Sequence, residues 1–193
     1  MSYARDRAIG SSGTIEGQAG RPMRLEIRDE MPADETSIHA LNAAAFETDA
    51  EARLVDALRG HGRLQLSLVA LEGPLLVGHI AFSPATITQP DGAVVEGIGL
   101  GPMAVTRMRQ RLGIGSRLVR TGLDRLWVAG HPFCVVLGHA GLYPRFGFER
   151  ASRFGIRWER DVADEVFFAL ELTHGALHGV SGVVRYAPEF ALV

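Results

Sequence analysis

Six consecutive residues, Gln110-Arg111-Leu112-Gly113-Ile114-Gly115, carry the pattern of a loop that grips phosphate oxygens. Glycine lets the main chain come close to an anion and adopt backbone angles closed to other residues. A helix-type repeat begins at Ile114, so the unpaired amides and the positive end of the helix dipole face the same opening. Arg107, Arg109 and Arg111 add cationic side chains around it. Together these suit a pyrophosphate. The plain alternative is a strand-to-helix connection that needs glycine only for its turn; the arginines, and a glycine-broken strand just upstream, weigh against it. A Walker loop needs a Gly-Lys pair followed by Ser or Thr, and the chain contains no such sequence. The dinucleotide fingerprint needs a third glycine three residues after Gly115, where Leu118 stands.

Elements that position this loop follow from hydrophobic periodicity. Alternation predicts a strand over 24–28. A helix over 34–46 places Ile38, Leu41, Ala44, Ala45 and Phe46 on one face, and a second over 50–59 turns Leu54, Val55 and Leu58 inward. Strands follow over 66–71 and 75–83, joined by the turn Glu72-Gly73-Pro74. After Gln89-Pro90-Asp91-Gly92 a long strand over 94–105 is interrupted by Gly97, Gly99, Gly101 and Pro102. Such residues inside a strand mark a bulge or a close backbone approach. From Ile114, the apolar positions Leu118, Val119, Leu123, Leu126 and Trp127 predict an amphipathic helix closed at Gly130. The continuous apolar run over 133–137 reads as a strand buried on both faces. A helical turn over 142–146 and strands over 154–158 and 166–172 complete a mixed α/β order.

Bulk properties narrow the class. A chain of 193 residues suits one domain with a substantial core. The glycine-rich leader 1–22 is expected to be disordered, with a single domain over 23–193. A net charge of -2 offers no broad basic surface, which disfavours nucleic acid as a partner. No apolar run approaches the roughly 20 residues that cross a bilayer, so no membrane partner is expected. The single cysteine, Cys134, excludes an internal disulfide and any multi-cysteine zinc site, and is consistent with a cytoplasmic, reducing setting. His131 and His139 flank one strand without a third ligand at metal spacing, so no metal is expected. Apolar residues near the C-terminus, Val183, Val184, Phe190 and Leu192, are a candidate surface for pairing two copies into a homodimer.

The loop also matches the Gln/Arg-x-x-Gly-x-Gly/Ala signature of GNAT acetyltransferases, after a broken strand and before a helix. Leu100-Gly101-Pro102-Met103-Ala104-Val105, Leu137-Gly138-His139, Tyr143-Pro144-Arg145-Phe146-Gly147-Phe148 and the tail Gly182-Val183-Val184-Arg185-Tyr186-Ala187-Pro188-Glu189-Phe190 resemble the YhbS-type branch of that superfamily. The resemblance spans roughly residues 24 to 190. It implies a central, mostly antiparallel twisted sheet with a bulged, splayed central strand and flanking helices. It further implies acetyl-CoA as cosubstrate: the backbone of Met103, Ala104 and Val105 would pair with the pantetheine arm, and amides from Gln110 through Arg111, Leu112, Gly113, Ile114 and Gly115 to Ser116 would hold the pyrophosphate. Many relatives carry an asparagine after the buried strand. Gly138-His139-Ala140-Gly141 stand here instead, so contacts of that asparagine do not transfer.

Acyl transfer from a thioester to an amine needs a neutral amine, stabilisation of the oxyanion and a proton for the departing thiolate. The resemblance makes Tyr143 the general acid, its alternative being a packed tyrosine that supports the 142–146 turn. Glu96, just ahead of the broken part of the strand, is the leading candidate base, with Glu51 at the start of the second helix and His79 behind it. Cys134, inside an apolar run, reads as an inert core thiol. The expected activity is acetyl transfer to an amine of an unidentified small molecule or peptide by direct attack in a ternary complex. The alternative is an acyl-CoA-binding sensor without catalysis.

Overall fold

The computed structural model describes residues 25–193; the leader expected over 1–22 lies outside the described residues. Nine strands among the described residues share one sheet, built around a long central hairpin. Strands β1 (Leu25–Asp29), β2 (Leu66–Glu72), β3 (Leu75–Thr88) and β4 (Val94–Val105) run antiparallel in succession. Two helices, α1 (Glu35–Ala45) and α2 (Ala50–Gly60), lie between β1 and β2 in the chain. A third, α3 (Ile114–Val128), connects β4 to β5 (Phe133–Leu137). That crossover makes β5 parallel to β4, as a helical return requires. Then come β6 (Glu149–Arg150), β7 (Ile156–Trp158), β8 (Phe167–Glu171) and β9 (Gly182–Tyr186). The path runs β1-β2-β3-β4-β5-β8-β6, with β9 joining β3 to β7. No helix among the described residues is long and apolar enough to cross a membrane.

Each face of the sheet is covered by helices for a reason written in the sequence. The apolar stripe of α3, Ile114, Leu118, Val119, Leu123 and Leu126, packs with Ile80, Phe82, Ile98 and Leu100. Gly122 is what lets it sit so close, because a β-carbon there would overlap the Phe82 ring. On the opposite face Ile38 of α1 and Val55 of α2 meet Val69 and Leu71. Leu54 and Leu58 of α2 close over Ala187, with Phe190 against them.

The 14-residue β3 is longer than the strand expected over 75–83, because two partners share it. β2 pairs with its first part, Leu75 to Phe82, and β9 pairs with Ala85 to Thr88. This ninth strand takes up Val183 and Val184 of the apolar tail offered above as a dimer surface, while Leu192 stays exposed. Val184 is buried between β3 and β7, and Phe190 stacks on Tyr186 with ring centroids 4.6 Å apart. The strand is entered at Gly182, where any β-carbon would collide with the Thr88 carbonyl.

Glycines in β4 serve two different purposes. Gly97 and Gly99 stay in regular pairing, and the space a side chain would take is filled by the rings of Phe133 and Tyr186. The bulge falls later, where register with β3 shifts between Ile80 and Phe82 and Gly101-Pro102 stand opposite the single Ala81. Gly101 has φ +144°, a conformation favouring glycine. Parallel pairing with β5 covers only Ile98, Gly99 and Leu100, opposite Cys134, Val135 and Val136. Beyond that point β4 continues for five more residues with β3 as its one strand partner among the described residues.

Candidate active site

The two strands therefore part into a notch whose apex lies at Leu100 and Val136. One wall is the β4 edge from Gly101 to Val105, free of any strand partner on the β5 side among the described residues. An extended chain hydrogen-bonded along that wall would cover about 13 Å at ~3.3 Å per residue. Met103 and Val105 turn toward α3, and Ala104 turns to the other face opposite His79.

At the open end of the notch stands the predicted loop. Gly113 caps α3 with φ +83°, and Arg111 has φ +64°, the one non-glycine residue at positive φ among those described. Two left-handed residues so close together curl successive amides toward one side, the geometry of an anion-binding nest. A bulky residue in that region costs on the order of 1–3 kcal/mol, so the conformation is held by its surroundings. Part of the hold is visible: the Gln110 side-chain amide donates to the Val105 carbonyl at 3.1 Å.

A cavity of about 520 Å³ opens in front of these amides. Met103 and Val105, the loop from Arg109 to Arg111, and Gly113 to Ser116 line it, closed on the far side by His139, Leu142 and Arg145. Arg145 has no site role that its sequence neighbours announce: it comes from the Tyr143–Phe146 turn, which only the fold brings across the notch. Arg109 lines the cavity while its Nε donates to Glu72 at 2.7 Å. Arg107 points elsewhere, into a second cavity of about 620 Å³ on the α1 side, lined by Ser37, Ala40, Leu41 and Ala44. Val105 and Gln110 line both cavities, so the end of β4 separates them.

Tyr143 sits at the start of the turn that follows β5, 6% exposed. Its ring lies where a side chain at Gly138 would be, with Phe148 edge-on at 5.6 Å and Phe168 at 6.2 Å. Packing and placement beside the notch are thus combined in one residue. Burial, with the Cys134 thiol nearby adding to it, raises the phenol to about 12, so it stays protonated at any physiological pH.

The candidate bases end up far apart. Glu96 is exposed near the outer start of β4, on the face that carries α3. Gly101 lies five positions further along, about 16 Å of extended strand. Glu96 is not brought together with Tyr143 and the loop. Glu51 lies on the inward face of α2, one turn before Leu54 and Val55, and its Oε2 is enclosed with no hydrogen-bond partner among the described residues. His79 is fully buried and fully occupied. The Asn42 amide donates to the Ile38 carbonyl at 2.9 Å and to His79 Nδ1 at 3.1 Å. That fixes the proton on Nε2, which donates to Ser67 Oγ at 3.0 Å, and the Ser67 hydroxyl in turn donates to Glu30. Arg59 grips the same carboxylate at 2.8 and 3.1 Å. Burial lowers the His79 imidazole to about 4, keeping it neutral. The chain ties α1 to β3, β2 and the end of β1, a structural role. Cys134 is completely enclosed and its ionisation is pushed well up by burial. His131 and His139 lie at opposite ends of β5.

Comparison with known proteins agrees with this geometry. The acetyltransferase (GNAT) domain family matches residues 26–151. The uncharacterized N-acetyltransferase YhbS of Escherichia coli strain K12 is 39% identical over 165 residues, 85% of this chain and 97% of that protein. The uncharacterized N-acetyltransferase YjhQ of the same strain is 40% identical to this chain over 119 residues, 61% of this chain and 65% of YjhQ. Among solved structures, Escherichia coli YhbS in complex with CoA superposes with a TM-score of 0.83 at 37% identity, covering 90% of this chain and 95% of that one. A GNAT family acetyltransferase from Brucella melitensis in complex with acetyl-CoA gives 0.72 at 37% identity, covering 87% and 99%. Splayed central strands, a glycine loop at the helix start and similarity over nearly the whole described chain lead to one assignment: this protein belongs to the GNAT family of acetyltransferases.

Proposed function

We propose that this enzyme transfers the acetyl group of acetyl-CoA to an amine of a small molecule or peptide, by direct attack while both substrates are bound. The observation that carries this is the parting of β4 from β5 after Leu100 and Val136, which leaves one strand edge leading from the phosphate-type loop to the neighbourhood of Tyr143. The residues fit the cosubstrate. Amides from Gln110, Arg111, Leu112, Gly113, Ile114, Gly115 and Ser116 hold the pyrophosphate, with Arg111 and Arg145 at the mouth of the same cavity. The main chain of Met103, Ala104 and Val105 pairs with the pantetheine amides as a partner strand would. CoA in the YhbS complex and acetyl-CoA in the Brucella protein support the choice of ligand.

The chemistry divides among this chain's groups. A main-chain amide past the bulge, near Met103, donates to the thioester oxygen and stabilises the negative charge that develops there. Glu51 receives the proton released by the attacking amine: a carboxylate oxygen enclosed without a donor is suited to an N–H, which exposed Glu96 is not. Tyr143 gives its proton to the leaving thiolate. A phenol raised to about 12 is a weak acid, yet the burial that raises it strengthens a neighbouring thiolate as a base too, as the Cys134 thiol illustrates. The acceptor enters from the α1 side, where the second cavity lies. A free thiol enclosed in the core fits work in the cytoplasm.

Tyr143→Phe tests the assignment of the acid. Its affinity for acetyl-CoA should match wild type while turnover falls by about 100-fold, the usual scale for a lost proton donor. Unchanged turnover would remove Tyr143 from the mechanism.

A further inference from the structure

Tyr186, the last residue of β9, reaches the notch from the face opposite Tyr143. Its backbone pairs with Ala85 of β3, and its ring lies over Gly99 of β4, where an added β-carbon would fall inside the ring's contact distance. The side chain therefore crosses two strands and ends beside the main chain of Leu137. Leu137 is the residue just past the last β4–β5 pair, so the hydroxyl lies at the apex of the notch.

Ring packing explains only part of this residue. Phe190 at 4.6 Å and Trp158 at 6.1 Å hold the ring, and a phenylalanine would satisfy both. The hydroxyl is enclosed and has no hydrogen-bond partner of good geometry among the described residues. Ser83, directly across from Gly99 on the same face and 0% exposed, has a second unpartnered hydroxyl. Buried polar groups are nearly always paired, and two orphans on either side of one glycine mark a place where something else supplies the acceptor.

Taking the notch as the acyl site proposed above, we infer that the Tyr186 hydroxyl donates a hydrogen bond to the carbonyl oxygen of the bound acetyl group, opposite the side from which Tyr143 approaches the sulfur. The phenol keeps its proton throughout; burial, the main cause, pushes its ionisation well above the ordinary tyrosine range. It polarises the carbonyl without taking part in proton transfer.

Calorimetric titration of the full chain with acetyl-CoA and with CoA, for wild type and Tyr186→Phe, reads this contact without any acceptor. Loss of one hydrogen bond should weaken acetyl-CoA about tenfold and leave CoA unchanged. Because the lost hydroxyl has no hydrogen-bond partner of good geometry among the described residues, thermal unfolding should occur at nearly the same temperature. An S-ethyl analogue of CoA, which lacks the carbonyl oxygen, gives an independent reading: its deficit relative to acetyl-CoA should shrink about tenfold in the variant. Equal acetyl-CoA affinity for the two proteins overturns the inference, as does an equal loss for CoA and acetyl-CoA. Wild type that binds neither ligand would instead overturn the cosubstrate assignment itself, and this one with it.

Discussion

Replacing Gly115 by leucine separates what the fold needs from what the ligand needs; alanine would not, because the Gly/Ala signature admits it at this position. An added β-carbon would lie 3.6 Å from Met103 Cε and Sδ and 3.8 Å from Val105 Cγ2, ordinary contact distances. The residue is the second of α3, with helical angles open to leucine. Leucine is favoured over glycine in a helix interior by about 0.8 kcal/mol, and by less in the first turn. Stability should therefore stay level or rise by up to about 1 kcal/mol, roughly 2–4 °C in melting temperature for a chain of this size. The rest of the leucine side chain occupies the 520 Å³ cavity beside the wall formed by Met103 and Val105. There it holds a phosphate away from the amides. One hydrogen bond to a charged oxygen is worth about 1.5–3 kcal/mol, so CoA affinity should fall roughly 10- to 100-fold. Calorimetry with CoA beside a thermal melt measures both quantities on one sample. A variant that melts as expected and binds CoA like wild type refutes the phosphate role of this loop. Gly113 would be a poorer choice, because at φ +83° any side chain strains the backbone and mixes folding with binding.

Two further predictions concern carboxylates and the buried histidine. Glu51→Gln should lower turnover by about 100-fold or more with acetyl-CoA affinity kept, and Glu96→Gln should leave both unchanged; steady-state assays of the pair that gave the reverse would return the base to Glu96. For His79, the unfolded chain takes up a proton below about 6.5, whereas the folded chain does so only at about 4. Unfolding therefore binds a proton within that window, and stability falls as pH is lowered through it. The loss amounts to about 3 kcal/mol at pH 4. Urea melts of wild type between pH 7 and 4 should show this slope, and a His79→Gln variant should flatten it; parallel curves would mean that His79 is not buried neutral.

How much of this was legible in the chain depends on distance along it. The phosphate-type loop, the amphipathic helix after it and the two-face-buried strand are local patterns, and each lies within one or two residues of its expected place. Glycines in β4 announced a close approach, but not that Phe133 and Tyr186 fill the space while Gly101-Pro102 alone form the bulge. β9 escaped because Val183 to Tyr186 pair with Ala85 to Thr88, about a hundred positions earlier, so no local signal distinguishes it from a loose tail. Long-range assembly also built the Asn42–His79–Ser67–Glu30 chain and brought Arg145 to the cavity. Glu96 looked suitable from its place before the bulge; strand alternation turns it to the α3 face, out in solvent.

The most direct test of acetyl transfer at the β4–β5 notch uses acetyl-CoA labelled in its carbonyl carbon. The full chain is incubated with a panel of amines, peptides and amino-sugars while thiol release and the fate of the label are followed together. Direct transfer puts label on the nitrogen of an acceptor, releases one thiol per amide formed, and leaves no label on the protein. Tight binding of acetyl-CoA with no transfer to any acceptor, or label fixed covalently to the chain, would contradict it.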